Sequence, residues 1–170
     1  FGGRVSPPNS IVDDTETYNG TSFTEVNDLG TARFVLGSAG TQTAALAFGG
    51  AAPSASALTE SWNGSSWSEV SDLNTARSNV AGAGTSTAAI AVGGSGGFTN
   101  VETWDGTSWT NATAINTGRA AGESLGTSTA TIFAGGEGPA PSYTVYGNTE
   151  LWNGSSWSEV NDLLTARHQL

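Results

Sequence analysis

The sequence predicts an all-β repeat protein of four-stranded antiparallel units, and three recurrences carry that reading. A Glu is followed at one fixed spacing by an Arg four times, at Glu16 and Arg33, Glu60 and Arg77, Glu102 and Arg119, and Glu150 and Arg167. An aromatic pair keeps the same phase, as Tyr18 and Phe23, Trp62 and Trp67, Trp104 and Trp109, and Trp152 and Trp157, with Asn-Gly or Asp-Gly between the two rings. The same interval beyond each of the first three Arg falls the second Gly of a pair, Gly50, Gly94 and Gly136, closing the apolar runs TAALAFGG, TAAIAVGG and TATIFAGG.

Each element of the unit follows in order. The run after the Arg, SNVAGAG in one unit, is a first strand, and the Ala-rich run is a second. A loop of variable length leads to the Glu/Trp strand, and the Asn-Gly dipeptide predicts a tight turn with positive φ at both of its positions into the SWSEV strand. Four antiparallel strands recurring in step with Glu16, Glu60, Glu102 and Glu150 are what a β-propeller blade requires. Small residues crowd the first two strands, as expected nearest an axis, and Trp and Val fill the outer two. The chain thus reads as one domain, 1–170, with complete units at 29–72, 73–114 and 115–162 and partial units at 1–28 and 163–170. Joining Arg167 to Gly3 as one blade needs the interval that separates Arg33 from Gly50, so on constant repeat units a closed four-blade ring lacks about 11 residues. With no initiator Met, the sequence is expected to be a window from a longer propeller or a processed form.

The Gly pair closing the second strand, the two spaced aromatics on the third and fourth, and the Arg ahead of the next unit resemble the kelch-type propeller repeat over nearly the whole chain. The aromatic spacing is tighter than in that family, Tyr18 and Phe23 replace Trp, and Ala114 stands where the other units have Asp28, Asp72 and Asp162. Within kelch-like proteins, the Asn-Gly-Ser-Ser-Trp wording and the Thr/Ser/Gly/Ala-rich filler resemble repeats of phage tail and virion proteins. That resemblance implies a virion or an extracellular, cell-surface location. Copper chemistry of the galactose-oxidase kind, known on kelch-type propellers, needs a Cys, and the sequence has none.

Composition narrows the function classes. With no Cys there is no disulfide framework, thiol nucleophile or cysteine metal site. Lys is absent as well, and 15 acids face five Arg for a net charge of −10. Such a surface repels phosphate backbones and anionic lipid, so neither nucleic acid nor membrane insertion is expected. His168 is the single His and has no partner for a metal site or a nucleophile triad. No catalytic residue, metal site or cofactor is therefore predicted.

Residues repeated in every unit serve the unit. Glu16, Arg33, Glu60, Arg77, Glu102, Arg119, Glu150 and Arg167 are expected to form structural ion pairs, the Arg of one blade reaching the Glu of the preceding one. The Asn-Gly turns also spell N-x-S/T acceptors at Asn19, Asn63 and Asn153, with another at Asn111, but the turn itself explains them. Trp-Asp-Gly-Thr-Ser-Trp at 104–109 lacks the residue that a sialidase Asp box places between Asp and Gly.

What varies is the connection between second and third strands. From the second Gly to the next Glu it spans 3–16, 50–60, 94–102 and 136–150, so each copy has its own length. These connections share one end of the propeller with the turns from strand four to strand one, and repeat proteins commonly place binding diversity on such a face. The candidate ligand residues are Arg4, Asn9, Asp13 and Asp14; Phe98 and Asn100; and Glu137, Tyr143, Tyr146 and Asn148. The rings can stack on a sugar while amides and acids take its hydroxyls, and solvated loops without a ligand are the equally open alternative. Asp13-Asp14 offers oxygen ligands to calcium, without a ligand-spaced motif. Three function classes follow. The first is a non-enzymatic recognition or adhesion module binding host-surface glycan or protein. The second is a structural propeller or spacer packed against other subunits of a virion or surface assembly, a homo-oligomer included. An enzyme on a propeller scaffold ranks last, since no acid/base pair or ligand set is on view.

Overall fold

The computed structural model describes residues 1–5, 10–96 and 98–168, and these contain strands and turns with no helix. Five antiparallel sheets follow one another along the chain. Strands β1 (Gly3–Val5) and β2 (Ser10–Val12) form a small hairpin, and β3 (Thr15–Tyr18) with β4 (Phe23–Val26) a second two-stranded sheet. Three four-stranded sheets come next, each a meander: β5 (Gly37–Thr41), β6 (Ala44–Phe48), β7 (Thr59–Trp62) and β8 (Trp67–Glu69); β9 (Ala81–Thr85), β10 (Ala88–Val92), β11 (Val101–Trp104) and β12 (Trp109–Ala112); β13 (Glu123–Thr127), β14 (Ala130–Ala134), β15 (Thr149–Trp152) and β16 (Trp157–Glu159). The hairpin β1–β2 lies inside the first variable loop, where no strand was expected. First strands also begin later than the sequence suggests. Asn79 within SNVAGAG has a φ of 51°, and after an isolated bridge at Ser78 the ladder with the second strand starts at Ala81.

First strands lie side by side, β5 against β9 and β9 against β13, and this explains their small residues. A Cβ at Gly82 would lie 2.3 Å from the Ser38 carbonyl oxygen and 2.6 Å from the Phe48 ring, so only Gly permits that approach. Val35, Asn79 and Ala121 share a left-handed backbone, with φ of 49°, 51° and 55°. Asn79 N donates to Val35 O at 2.8 Å and Ala121 N to Asn79 O at 3.0 Å, so the three make a hydrogen-bonded row from unit to unit. Left-handed backbone costs a non-Gly residue about 1–2 kcal/mol, and here the inter-unit bonds hold it.

Between sheets, the Trp pair of one unit packs on Leu, Ile, Val and Phe side chains of the unit before. Trp104 and Trp109 pack with Leu46, Phe48 and Leu73 of the sheet before, and Trp152 and Trp157 with Ile90, Val92 and Ile115. The paired rings stand opposite each other in the register, with centroids 5.4 Å apart for Trp104–Trp109 and 5.3 Å for Trp152–Trp157. Such an arrangement is worth about 0.5–1.5 kcal/mol beyond area burial. The two indole N–H groups divide their tasks. The first Trp of each pair donates within its own sheet, as Trp62 to Gln42 O, Trp104 to Ser86 O and Trp152 to Ser128 O. The second reaches back to the preceding unit, as Trp67 to Thr15 Oγ1, Trp109 to Thr59 Oγ1 and Trp157 to Thr113 O. The last of these changes acceptor because Val101, which has no hydroxyl, stands where Thr15 and Thr59 do.

The ion pairs form, with a different partner from the expected one. Arg33 meets Glu60 at 2.7 Å, Arg77 meets Glu102 at 2.9 Å and Arg119 meets Glu150 at 2.6 Å, so each Arg serves the Glu ahead of it in its own unit. The reason is topological: the Arg enters the first strand and its side chain lies across the stems of the second and third. Arg33 Nη1 donates to Gly49 O and Leu58 O, and Arg77 Nη1 to Gly93 O and Asn100 O. The second carboxylate oxygen accepts the backbone N–H of Gly30, Asn74 or Asn116, each in the turn just ahead of the Arg. The Arg carbonyl meanwhile accepts the N–H of the preceding unit's second Gly, Gly50 to Arg77 O at 2.8 Å and Gly94 to Arg119 O at 3.1 Å. Burial pushes the Arg77 guanidinium below its ordinary range, opposed by Glu102. Its Nε finds no acceptor, whereas Arg119 Nε donates to Gly135 O. Among the described residues Glu16 and Arg167 make no ion pair, and both are exposed.

The Asn-Gly turns also differ from expectation. Asn63, Gly64, Ser65 and Ser66 all lie between the strands β7 and β8, and only the Gly has positive φ, 94°. The Asn works through its side chain: Asn63 Oδ1 accepts the N–H groups of Ser65 and Ser66 at 2.9 Å. Asp105 does the same for Thr107 and Ser108, and the Thr107 hydroxyl bond, followed by these amides, holds its carboxyl down to about 2 from an ordinary 3.8.

Two outcomes are expected. Glu102→Ala strands the buried Arg77 charge and should cost about 3–5 kcal/mol, read as a fall in the urea midpoint; an unchanged midpoint would remove the pair from the framework. For Asp105 the folded pKa lies below the unfolded one, so its contribution is complete above 3.8 and lost as pH falls through about 2. Asp105→Asn, which installs the residue present at Asn19, Asn63 and Asn153, should therefore lose less stability than the parent chain as the solution is acidified through that window. Parallel losses in urea titrations across it would show that the turn carboxylate plays no part.

Candidate functional site

The variable loops do share an end with the turns from fourth to first strand, and backbone hydrogen bonds fasten the two together. Leu73 N donates to Ala57 O and Arg77 N to Ser56 O; Ile115 N and Arg119 N do the same to Thr99 O and Phe98 O, and Leu163 N and Arg167 N to Gly147 O and Tyr146 O. Leu29, Leu73 and Ile115 anchor these turns as buried side chains. They recur in fixed phase before each Arg, a signal present in the sequence and not used in reading it.

The candidate ligand residues are not alike once placed. Asn100 and Asn148 lend their carbonyls to Arg77 and Arg119, and their side chains bond Thr75 Oγ1 and Glu159 Oε1. Phe98 O accepts from Arg119 N, Asp13 O from Leu29 N and Asp14 O from Gly2 N. Tyr146 is half-buried, its N–H on Gly136 O and its carbonyl on Arg167 N, with its ring over Gly138. Glu137 pairs backbone to backbone with Ala120 and brings Oε2 to 3.4 Å from His168 Nδ1. Three side chains remain most available, the exposed Asp14 among them. Tyr143 is 59% exposed on a left-handed backbone of φ 43°, and Arg4 is exposed with its guanidinium 4.0 Å from the centre of the Phe34 ring. Asn9 lies outside the described residues.

None of these candidates lines a groove of about 500 Å³ beside the first strands. Its walls are the edge of β3 at Thr15–Thr17, the first strands β5, β9 and β13, and Phe1, Trp62 and Trp67. Two features mark it chemically. Ser124 Oγ is buried with no hydrogen-bond partner, and partial burial pushes the Glu123 carboxyl up against the opposing bond from the Ser124 amide. The arrangement offers hydrogen-bond acceptors, a hydroxyl and indole faces. Nothing in the sequence marked it, because the small residues of first strands read as packing elements alone.

No protein-family model matches the chain, and no curated protein matches it.

Proposed function

We propose that this chain is an array of kelch-like β-propeller blades that works as a non-enzymatic recognition module on a virion or cell surface, meeting host glycan or protein at its variable-loop end. The observation that carries this reading is the confinement of all length variation in the repeat to the one connection that presents Tyr143, while the Gly, Arg, Glu and Trp scaffold stays in phase. A rigid scaffold with variation at a single end is how loop-borne binding surfaces are built. Consecutive four-stranded meanders with first strands side by side support the propeller assignment.

The residues spent on the framework narrow the surface. Arg4, Asp14 and Tyr143 are its working candidates; the half-buried Phe98, Asn100, Tyr146 and Asn148 support it. A structural role within an assembly has its own favouring observation. Leu125, Ile132 and Leu151 form an exposed apolar row across β13, β14 and β15, at 66%, 37% and 43% exposure.

A glycan and host-surface binding screen separates the two. Tyr143→Ala should leave stability within about 0.5 kcal/mol, as exposed substitutions usually do, and weaken binding, and replacement of loop 137–148 should abolish it. Binding that survives both changes, or none from the folded parent chain, would move the assignment to the assembly role.

A further inference from the structure

The turns that join third strand to fourth hold a side-chain amide in an arrangement that activates it. Asn63 Oδ1 accepts three hydrogen bonds, from Ser65 N, Ser66 N and Ser65 Oγ, each at 2.9 Å. Asn153 Oδ1 accepts the same three from Ser155 N, Ser156 N and Ser155 Oγ, again at 2.9 Å. On the nitrogen side, Asn63 Nδ2 lies 3.3 Å from Ser66 Oγ and Asn153 Nδ2 lies 3.2 Å from Ser156 Oγ. The next residue is Gly64 or Gly154, exposed and with no side chain to screen its nitrogen, and among the described residues that N–H donates to nothing. The hydroxyl bond to Oδ1 exceeds what the turn needs, since Asn19 forms the same turn with the amides of Thr21 and Ser22 alone, at 2.9 and 3.0 Å.

These are the parts of an acyl-transfer centre. Donors converging on a carbonyl oxygen stabilise the charge that develops there when its carbon is attacked. A hydroxyl beside the amide nitrogen can give it a proton as it leaves. The nucleophile is the backbone nitrogen of the following residue, already held at high effective concentration by the chain.

We propose that Asn63 and Asn153 are self-catalysed deamidation sites. Hydroxide takes the proton of Gly64 N, the nitrogen bonds to Asn63 Cγ, and the negative charge passes to Oδ1 under the Ser65 and Ser66 donors. Collapse breaks the Cγ–Nδ2 bond. The Ser66 hydroxyl gives its proton to the departing nitrogen, water restores that proton, and ammonia leaves. Water then opens the cyclic imide, at Cγ to give Asp or at the backbone carbonyl to give an isoaspartyl link, with no oxidation or reduction at any step. Asp105 shows that the turn accepts the first product: its Oδ1 keeps Thr107 N, Ser108 N and the Thr107 hydroxyl at 2.8, 2.9 and 2.7 Å. Ionised down to about 2, that carboxylate resists attack, so the third turn is inert. Each event adds a negative charge at the end of the sheets opposite the variable loops.

The test incubates the intact chain in mildly alkaline buffer and follows amide-to-acid conversion by mass spectrometry. Cleavage after Arg places Asn19, Asn63 and Asn153 on separate fragments. A capped peptide of residues 62–67, WNGSSW, is the unstructured reference. Asn63 and Asn153 should convert about tenfold faster than the peptide, less than the roughly 10²–10³ that an enclosed oxyanion donor supplies, because the turn is exposed. Ser65→Ala should slow Asn63 about fivefold, while Asn153 in the same molecule keeps its rate and reports an intact fold. Asn19, without the hydroxyl bond, should lag behind both. Conversion of Asn63 no faster than the peptide overturns the proposal, as does a Ser65→Ala chain with an unchanged ratio of the Asn63 and Asn153 rates, or an Asn19 that keeps pace.

Discussion

The structure depends on a charge that has been taken out of water. Arg33, Arg77 and Arg119 are fully buried, and a buried guanidinium is tolerable only when nearly every N–H finds an acceptor. The Glu supplies charge, the Gly-pair carbonyl and the carbonyl two positions before the Glu supply the rest, and the Arg carbonyl is taken by the preceding unit. One residue therefore ties three strands of its own sheet to the sheet before. Breaking such a pair strands a buried charge at a cost of about 3–5 kcal/mol, so a slipped register is penalised. That accounts for a fixed Arg-to-Gly spacing in a chain whose other connections drift.

Around that tie, sheets adhere through surfaces of different character. Rings on the third and fourth strands press onto Leu, Ile and Ala of the neighbour, and the second indole reaches across to hydrogen-bond it. The apolar burial gives magnitude, about 1.5–3 kcal/mol for each large side chain, and the indole N–H and the Gly-to-Arg bond give direction. Adhesion of this kind has a leading and a trailing face, which is why the exposed apolar row on β13–β15 and the exposed Tyr18–Phe23 pair lie on unlike ends of the array.

Much of this was legible in the sequence because repetition reports geometry directly. The Glu, Arg, Gly-pair and aromatic phases located the strands, and the small residues of the first two strands matched close packing at Gly82. Three things escaped for physical reasons. A constant spacing identifies recurring residues but not which copies touch, and Arg33 lies nearer Glu60 because strand one folds back on strands two and three. The Asn-Gly dipeptide is read by propensity as a backbone turn, whereas here the Asn side chain holds the loop, so Asp105 substitutes freely. The left-handed row at Val35, Asn79 and Ala121 has no compositional mark, since inter-unit hydrogen bonds impose it. At the candidate loop surface, non-repetition flagged Asn100 and Asn148, yet backbone carbonyls carry their role, and a carbonyl is indifferent to residue type.

The Arg33 guanidinium bonds both Gly49 O and Leu58 O, the two residues where the loop between β6 and β7 leaves and rejoins the sheet, and Gly49 N closes the same gap onto Leu58 O. The neck of that loop is thus fastened independently of what lies beyond it. Closing a longer loop then costs only the slowly growing chain entropy, about 0.6 kcal/mol for each doubling of length, because no framework contact is lost as residues are added. Each neck is a socket: segments of different length and composition can be exchanged there while the sheet below keeps its register, and a lineage carrying this repeat can change what it displays without rebuilding what holds it.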